Sequence, residues 1–442
     1  MLDLKGKQVS LVGFGMSGKA MCRYLVRQGV PFVVRSEAEC ELPKGVSGIF
    51  GENYLEAVED VIFRSPGVRP DKIKGSGKIY TEAIFALGLC PSFKIGVSGS
   101  DGKTTTSTLI YRMLTQGGKN AFLGGNIGHP IIDFVDKVAK GDFLVAELSS
   151  FQLIGDSPYL DVAALTNISE NHLDWHIDMD EYVSAKANIL KNAKRAVLNY
   201  DDPLVRELKG ENITYFSLQD RSDMLGGGGH FVHIVNGQVC FDNQELFPAS
   251  DVRLKGKFNL QNVLCAIGCV YGIVGKDAVA CVAREFCGVG GRQEEIGVFE
   301  GVTYINSAID TTPTRTINTL GAFVPEKTVA ILGGYDKNLS YGCLKNALSR
   351  VKAIILCGEN RDKIGAALDG RVINVNTIDE AVRVAHSLAK DGDFVILTPA
   401  SASFDMFKNY REKGKAFEIA VKNIMQNCGS SRMSTPTRKC KM

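Results

Sequence analysis

A short apolar run, Lys94-Ile95-Gly96-Val97-Ser98, passes directly into Gly99-Ser100-Asp101-Gly102-Lys103-Thr104-Thr105 and then into a helical pattern over residues 104–114. Closely spaced glycines let a backbone fold around an anion with several N–H groups pointing inward, and the N-terminus of the next helix adds partial positive charge. The pattern predicts a nucleotide-phosphate cradle built from Gly99, Ser100, Asp101, Gly102 and Thr105. Lys103 would reach the outer phosphates, and the Thr104 hydroxyl would hold Mg2+. The general phosphate-loop spacing also asks for a glycine at Val97, so the match is incomplete and an ordinary strand–helix turn is the competing reading.

The strand–turn–helix habit recurs on both sides of this loop. Residues 7–13 read as a strand, followed by Gly13-Phe14-Gly15-Met16-Ser17-Gly18, a helix over 19–28 and a strand over 30–34, as in the opening of a dinucleotide-type βαβ unit. Such units usually end the second strand with an acid for the ribose. Here Arg35-Ser36-Glu37 stands there, with Glu37 as a substitute and Arg35 as a phosphate contact, against the alternative of a tight turn with no ligand. A strand over 61–64 ends in Ser65-Pro66-Gly67, residues 79–89 read as a helix, and Pro91 reads as a linker.

Beyond the phosphate loop, strands are expected at 143–148, 162–167 and 196–198, with a helix over 185–194. That alternation implies a mainly parallel sheet covered by helices. Residues 213–257 carry short alternating runs and an Asn236-Gly237 turn, which suggests a small antiparallel element. An apolar helix over 259–274 would stop at Gly275. Further strands are expected at 302–305, 328–332, 353–356 and 394–397. Gly333-Gly334-Tyr335-Asp336-Lys337 and Thr398-Pro399-Ala400-Ser401-Ala402-Ser403 sit just past strand ends, where parallel sheets hold ligand groups.

The expected architecture is therefore α/β with three domains. A Rossmann-like N-terminal domain (1–91) precedes a central P-loop mononucleotide-binding domain (92–290) with a mainly parallel sheet and a small antiparallel element. A Rossmann-like C-terminal domain (291–426) follows, then a basic tail (427–442) read as disordered. A net charge of +2 over 442 residues gives no reason to expect a nucleic-acid partner. Twelve cysteines without paired spacing suit reduced, buried thiols in a cytoplasmic protein. The early Asp3 and short apolar run do not suit a signal peptide, and no stretch approaches a membrane span.

Several residues carry chemistry. Glu147, at the end of the strand after the phosphate loop, is placed to hold Mg2+ that bridges phosphates, with a helix N-cap acid as the alternative. Asn171-His172-Leu173-Asp174-Trp175-His176 follows the next strand; His172 can meet a cation or phosphate, and Asp174 can fix the tautomer of a neighbouring histidine. A polar loop with a stacked Trp175 explains the same residues. By periodicity alone Lys186 is an ordinary surface lysine, whereas Lys103 and Lys337 each follow glycines at a strand end and suit neutralisation of developing charge.

Read together, Gly99–Thr105 as quoted above, Gly124-Gly125-Asn126-Ile127-Gly128, Glu147-Leu148-Ser149-Ser150-Phe151-Gln152-Leu153, Asn171-His172-Leu173-Asp174, Gly333-Gly334-Tyr335-Asp336-Lys337 and Ser401-Ala402-Ser403-Phe404-Asp405-Met406-Phe407-Lys408-Asn409 resemble the Mur ligase family. The resemblance implies activation of the carboxylate of UDP-N-acetylmuramoyl-L-alanine by ATP as an acyl-phosphate, attack by the D-glutamate amine, and two Mg2+ ions in a monomeric enzyme. It places Lys103 and Thr104 on the ATP phosphates and Asn262 and Arg292 on the adenosine nucleotide. Glu147 and His172 fall on magnesium, and Asn126, Ser149 and His172 on the muramoyl substrate. Lys186 falls on the family's carbamylated lysine, which supports the second ion. Thr311, Lys337, Ser403 and Tyr410 fall on positions that meet D-glutamate.

The chain departs from the family pattern in the first domain, which lacks the usual acid near Arg35 and has Ile84 where the family often has Glu, and at three places beyond it. Phe258-Asn259-Leu260-Gln261-Asn262 replaces His-Asn-x-x-Asn, Gly291-Arg292 replaces His-Arg, and Asn306-Ser307-Ala308-Ile309-Asp310-Thr311 replaces Asn-Asp-Ser-x-Ala-Thr. Asp310, three residues on, is an acid that could compensate for the one missing at Ser307, against the alternative that the shift along the backbone points it elsewhere. A related ligase with a changed substrate, or a non-catalytic nucleotide-binding paralogue, are the competing functions.

Overall fold

The computed structural model describes residues 4–226, 229–368 and 372–427; the basic tail expected beyond Asn427 lies outside them. Among the described residues the chain forms three large sheets and a two-stranded one in two compact units, Met1–Arg253 with Lys257–Phe286, and Leu254–Gly256 with Cys287–Met442.

The first sheet has strands in the order Ser47–Phe50, Val33–Ser36, Val9–Val12, Val61–Arg64 and Lys78–Thr81, all parallel. Its helices Met16–Arg27 and Glu82–Leu89 bury Leu25 and Ala86 against Leu11 and Phe63. Residues 79–81 are strand rather than helix, because Ile79 and Thr81 continue the register beside Ile62 and Arg64. The Arg35 expectation fails for an electrostatic reason. Its guanidinium is buried and grips Glu59 with Nη2–Oε1 at 2.7 Å, so its charge is already matched. Burial alone would raise the Glu59 carboxyl, yet the Arg35 hydrogen bonds hold it below the usual carboxylate range.

In the second sheet seven parallel strands run from the edge Ala121–Gly125 through Phe143–Glu147, Phe93–Ser98, Val162–Leu165, Ala196–Asn199 and Thr214–Phe216 to His230–Val235. The central ones are apolar on both faces, as the successive buried pairs Leu144 and Val145, and Ala163 and Ala164, show, because helices cover them. The antiparallel element begins later than the alternation suggested: Thr214–Phe216 pairs parallel with His230–Val235, and only Gln238–Phe241 and Gln244–Pro248 run antiparallel. The helix expected over 185–194 is instead Met179–Ala187, started by Asp178, whose side chain accepts from Glu181 N at 2.8 Å. The apolar helix is Lys257–Val270, and Gly275 starts the next helix, Lys276–Glu285, rather than stopping this one.

The third sheet, in the second unit, is ordered Glu294–Phe299, Val302–Asn306, Phe394–Leu397, Thr328–Leu332, Ala353–Cys357, Ile373–Val375, with only the first pair antiparallel. Most cysteines among the described residues are buried. No helix of the described residues is long and apolar enough to cross a membrane.

Candidate functional site

The glycine loop leaves the C-terminal end of Phe93–Ser98, where connections depart to opposite sides of the second sheet, the point at which open α/β sheets leave a crevice. Two of its glycines are obligatory. Gly99 has φ +145°, and a Cβ there would lie 1.9 Å from Thr166 Oγ1; Gly102 has φ +81°, and a Cβ would lie 2.2 Å from Asn262 Oδ1. The neighbours that forbid side chains also shape the loop. Thr166 Oγ1 donates to Asp101 O at 2.6 Å, and Asp101 N donates to Asn167 Oδ1 at 2.9 Å. Ser100 Oγ donates to Ser169 O at 3.0 Å and shares a hydrogen bond with the Tyr182 hydroxyl at 2.8 Å. The helix Lys103–Gln116 starts at the loop, with Thr104 buried in its first turn. Lys103 curls back, so that Nζ donates to Gly99 O at 2.8 Å and Ser100 O at 2.9 Å. Asn262 is buried, and its Oδ1 accepts from Thr106 Oγ1 at 3.3 Å, which sets it behind Gly102.

Glu147 closes the adjacent strand, level with Val97. Asn126 Nδ2 donates to its Oε1 at 2.8 Å, while Oε2 is buried with no hydrogen-bond partner. A buried carboxylate oxygen left in this state fits a site that binds a cation. Among the described residues no group of three or more His, Cys, Asp or Glu is poised to hold a metal alone, so magnesium here would depend on phosphate oxygens for its remaining ligands. Ser149 caps the short helix Ser150–Leu153 in a capping box with Gln152. His172 is exposed with φ +58°, its ring 4.8 Å from that of Phe151.

Lys186 overturns the periodicity reading: it is 2 % exposed, donates from Nζ to Gly99 O at 2.6 Å, and lies 4.6 Å over the Tyr182 ring. Burial, and then the charge of Lys103, lower its pKa well below the ordinary lysine value. The helix Met179–Ala187 starts before the apolar stretch that suggested 185–194, so the polar positions were assigned to the wrong phase. At His176 the neighbouring acid is Glu181 rather than Asp174. The buried His176 faces Glu181 Oε2 from Nδ1 at 3.1 Å and Ser150 Oγ from Nε2 at 2.9 Å. Glu181, gripped by Arg69 at 2.8 Å, has its carboxyl pulled down to about 2 by that hydrogen bond. Neither Arg69 nor Glu181 stood out in the sequence, because their pairing spans residues far apart in the chain.

In the second unit, the turn after Thr328–Leu332 is held by Asn360, whose Oδ1 accepts from Gly334 N at 2.8 Å, and by the buried Lys413, which donates to Gly333 O. Lys337 is exposed, with Nζ 5.9 Å over the Phe404 ring, and Ser403 Oγ is buried without a hydrogen-bond partner. Tyr410 lies beside Gly291, next to Arg292, and Thr311 follows the buried Asp310. Asp310 does not face outward: Thr398 Oγ1 donates to its Oδ2 at 2.8 Å, and Ser307 and Thr319 are also hydrogen-bonded to it.

Burial raises the Asp310 carboxyl from 3.8 to about 6, against those hydroxyls and Arg315, which lower it. The folded state therefore holds this proton more tightly than the unfolded chain. Its contribution to stability is greatest below the ordinary carboxylate range and is lost as pH rises through about 4 to 6. Asp310→Asn lacks this loss. The variant should gain on the parent by on the order of 1 kcal/mol between pH 5 and 7.5, read by urea unfolding. An unchanged difference at the two pH values would show that Asp310 does not titrate there.

Comparison with known proteins completes the description. The Mur ligase middle domain matches residues 97–270, and the Mur ligase glutamate ligase domain matches residues 291–401. The chain is 37% identical to the UDP-N-acetylmuramoylalanine–D-glutamate ligase of Acetivibrio thermocellus, over 95% of this chain and 97% of that protein. It is 36% identical to that of Clostridium tetani, with the same coverage. Among solved structures it resembles a pseudomurein peptide ligase type C from Methanothermus fervidus (TM-score 0.59, 18% identity, 95% of this chain and 100% of that one). It also resembles a UDP-N-acetylmuramate-alanine ligase from Thermotoga maritima (TM-score 0.58, 18% identity, 95% and 100%). At that identity the structures speak to a shared three-domain α/β fold alone.

Proposed function

The chain belongs to the Mur ligase family, and on that premise we infer that it joins D-glutamate to UDP-N-acetylmuramoyl-L-alanine at the expense of ATP, a step of peptidoglycan precursor synthesis. The observation that carries the catalytic reading is the grouping of Lys103 and Lys186 on one carbonyl, that of Gly99, in a phosphate-type loop flanked by the strand that ends in Glu147.

Each residue has a role that its surroundings support. The N–H groups of the loop Gly99 to Thr105 bind the ATP phosphates, with Lys103 on the outer ones and Asn262 and Arg292 on the nucleoside side. Thr104, Glu147, His172 and a carbamate on Lys186 would hold magnesium; the Glu147 Oε2 without a hydrogen-bond partner fits that assignment. Magnesium would supply neutralisation of phosphate charge. The substrate carboxylate, oriented by Asn126 and Ser149, attacks the terminal phosphorus of ATP, and ADP leaves. The D-glutamate amine then attacks the acyl carbon, loses a proton, and expels inorganic phosphate. Lys337, Thr311, Ser403 and Tyr410 take the amino acid; the unpartnered Ser403 Oγ fits a ligand-facing hydroxyl. The domain limits implied by these roles are 1–91, 92–290 and 291–426.

The protein, supplied with ATP, Mg2+, UDP-N-acetylmuramoyl-L-alanine and D-glutamate, should release phosphate only when every component is present. Release that proceeds with another amino acid instead of D-glutamate would favour a changed acceptor. Nucleotide binding without any turnover would favour the non-catalytic paralogue.

A further inference from the structure

In the first sheet the order of connections reverses between Val9–Val12 and Val61–Arg64, so the crevice for a ligand lies between the turn at Gly13 and the turn Ser65-Pro66-Gly67-Val68-Arg69. These two turns are tied, since Ser65 Oγ donates to Gly13 O at 2.9 Å. The far side of the second turn is tied to the second sheet. Arg69 donates through Nη1 to Glu181 Oε2 at 3.0 Å, through Nη2 to Glu181 Oε1 at 2.8 Å, and from Nη1 to Trp175 O at 2.7 Å. Trp175 Nε1 returns a hydrogen bond to Gly67 O at 3.1 Å, and the Arg69 guanidinium lies 5.0 Å over the Trp175 ring. Glu181 Oε2 also accepts from Ile177 N at 3.0 Å and faces His176, which reaches Ser150.

The loop that carries His172 is thus fastened at both ends. At its start, Ser169 N donates to Ser100 Oγ, in the phosphate loop, at 2.9 Å. At its end, Trp175 is held by Arg69 and Gly67. Glu181 also lies on the same helix as Lys186. A bidentate arginine–carboxylate fork fixes direction as well as distance, whereas a hydrophobic contact of similar size would stabilise the seam without orienting it.

We propose that Arg69 is a positioning residue that makes the nucleotide-sugar turn of the first sheet and the His172 loop of the second one hydrogen-bonded unit, so that a ligand in the first crevice orders the magnesium–nucleotide site. The proposal rests on the ligase reading above for the identity of the two ligands. Coupling of this kind is reciprocal: each ligand tightens the other by the same factor.

The test measures binding of a magnesium complex of a non-hydrolysable ATP analogue, with and without UDP-N-acetylmuramoyl-L-alanine, by titration calorimetry. The parent protein, Arg69→Ala, Arg69→Lys and the near-isosteric Glu181→Gln are compared. In the parent the nucleotide sugar should tighten the analogue about tenfold. In Arg69→Ala that factor should fall below about twofold while each ligand alone still binds, with Arg69→Lys and Glu181→Gln between. In steady state the alanine variant should raise the KM for Mg-ATP at saturating nucleotide sugar more than it lowers kcat. A parent without coupling, an alanine variant with the parent's factor, or a loss of both separate affinities that tracks a lowered melting temperature would each overturn the proposal. Parent turnover, measured first, tests the ligase reading separately, because the binding comparison does not require catalysis.

Discussion

Lys103→Ala should lower ATP-dependent turnover by at least about a thousandfold, since one preorganised charge aimed at a transferring phosphoryl group carries several kcal/mol. The structure gives this lysine two tasks. Its Nζ spans Gly99 O and Ser100 O, which holds the two carbonyls of the loop together, and the proposed function sets its charge against the outer phosphates. Lys103→Arg keeps the charge but replaces a compact ammonium with a planar fork that cannot fill the same position between two carbonyls, so it should rescue little. Lys103 also helps to lower the pKa of Lys186, so its removal should move that amine back toward the ordinary lysine range. The measurement is single-turnover phosphate release together with thermal unfolding. Turnover within tenfold of the parent in a folded variant would remove Lys103 from the phosphate site.

Lys186→Met should cost turnover on the order of a hundred- to a thousandfold while leaving the fold intact. The side chain is 2 % exposed and surrounded by Tyr182 and the phosphate loop, so methionine fills the space without burying a charge. The lowered pKa of the lysine matters here, because only the neutral amine has the lone pair that attacks carbon dioxide. In that step the N–C bond forms, the nitrogen gives up a proton, and an anionic carbamate results, which would turn the buried amine into a ligand for magnesium. The parent should therefore lose activity in buffer stripped of carbon dioxide, regain it with bicarbonate, and show a carbamate carbon after labelling with 13C-bicarbonate. Lys186→Met should show neither response. Full activity in the methionine variant, or a parent indifferent to carbon dioxide and without the labelled carbon, would exclude the carbamate.

Much of the site was readable because its chemistry is local in sequence. The glycine loop, the strand before it and the helix after it are contiguous, and the structure shows why Gly99 and Gly102 admit no side chain. Glu147 was likewise marked by its place at the end of a buried strand. What was misread involved partners lying outside the motif in which each residue was read. Arg35 looked available for a phosphate until Glu59 was found against it. Asp174 looked like the acid beside a histidine, but Glu181 fills that role from the next helix. Asp310 resembled a displaced ligand acid, yet the hydroxyls of Ser307, Thr319 and Thr398 hold it inward.

The sequence by itself determined the α/β alternation, the glycine turn between strand and helix and the family, because strand and helix periodicity, glycine spacing and motif order are properties of neighbouring residues. The tertiary structure alone decided the environments. Whether Lys186 titrates as an ordinary surface lysine or well below one depends on the desolvation supplied by distant segments. Whether Arg69 is a surface charge or a strut depends on a carboxylate brought up from more than a hundred residues away. Charge states and hydrogen-bond partners are set by what packing places within a few ångströms, and no local pattern encodes that.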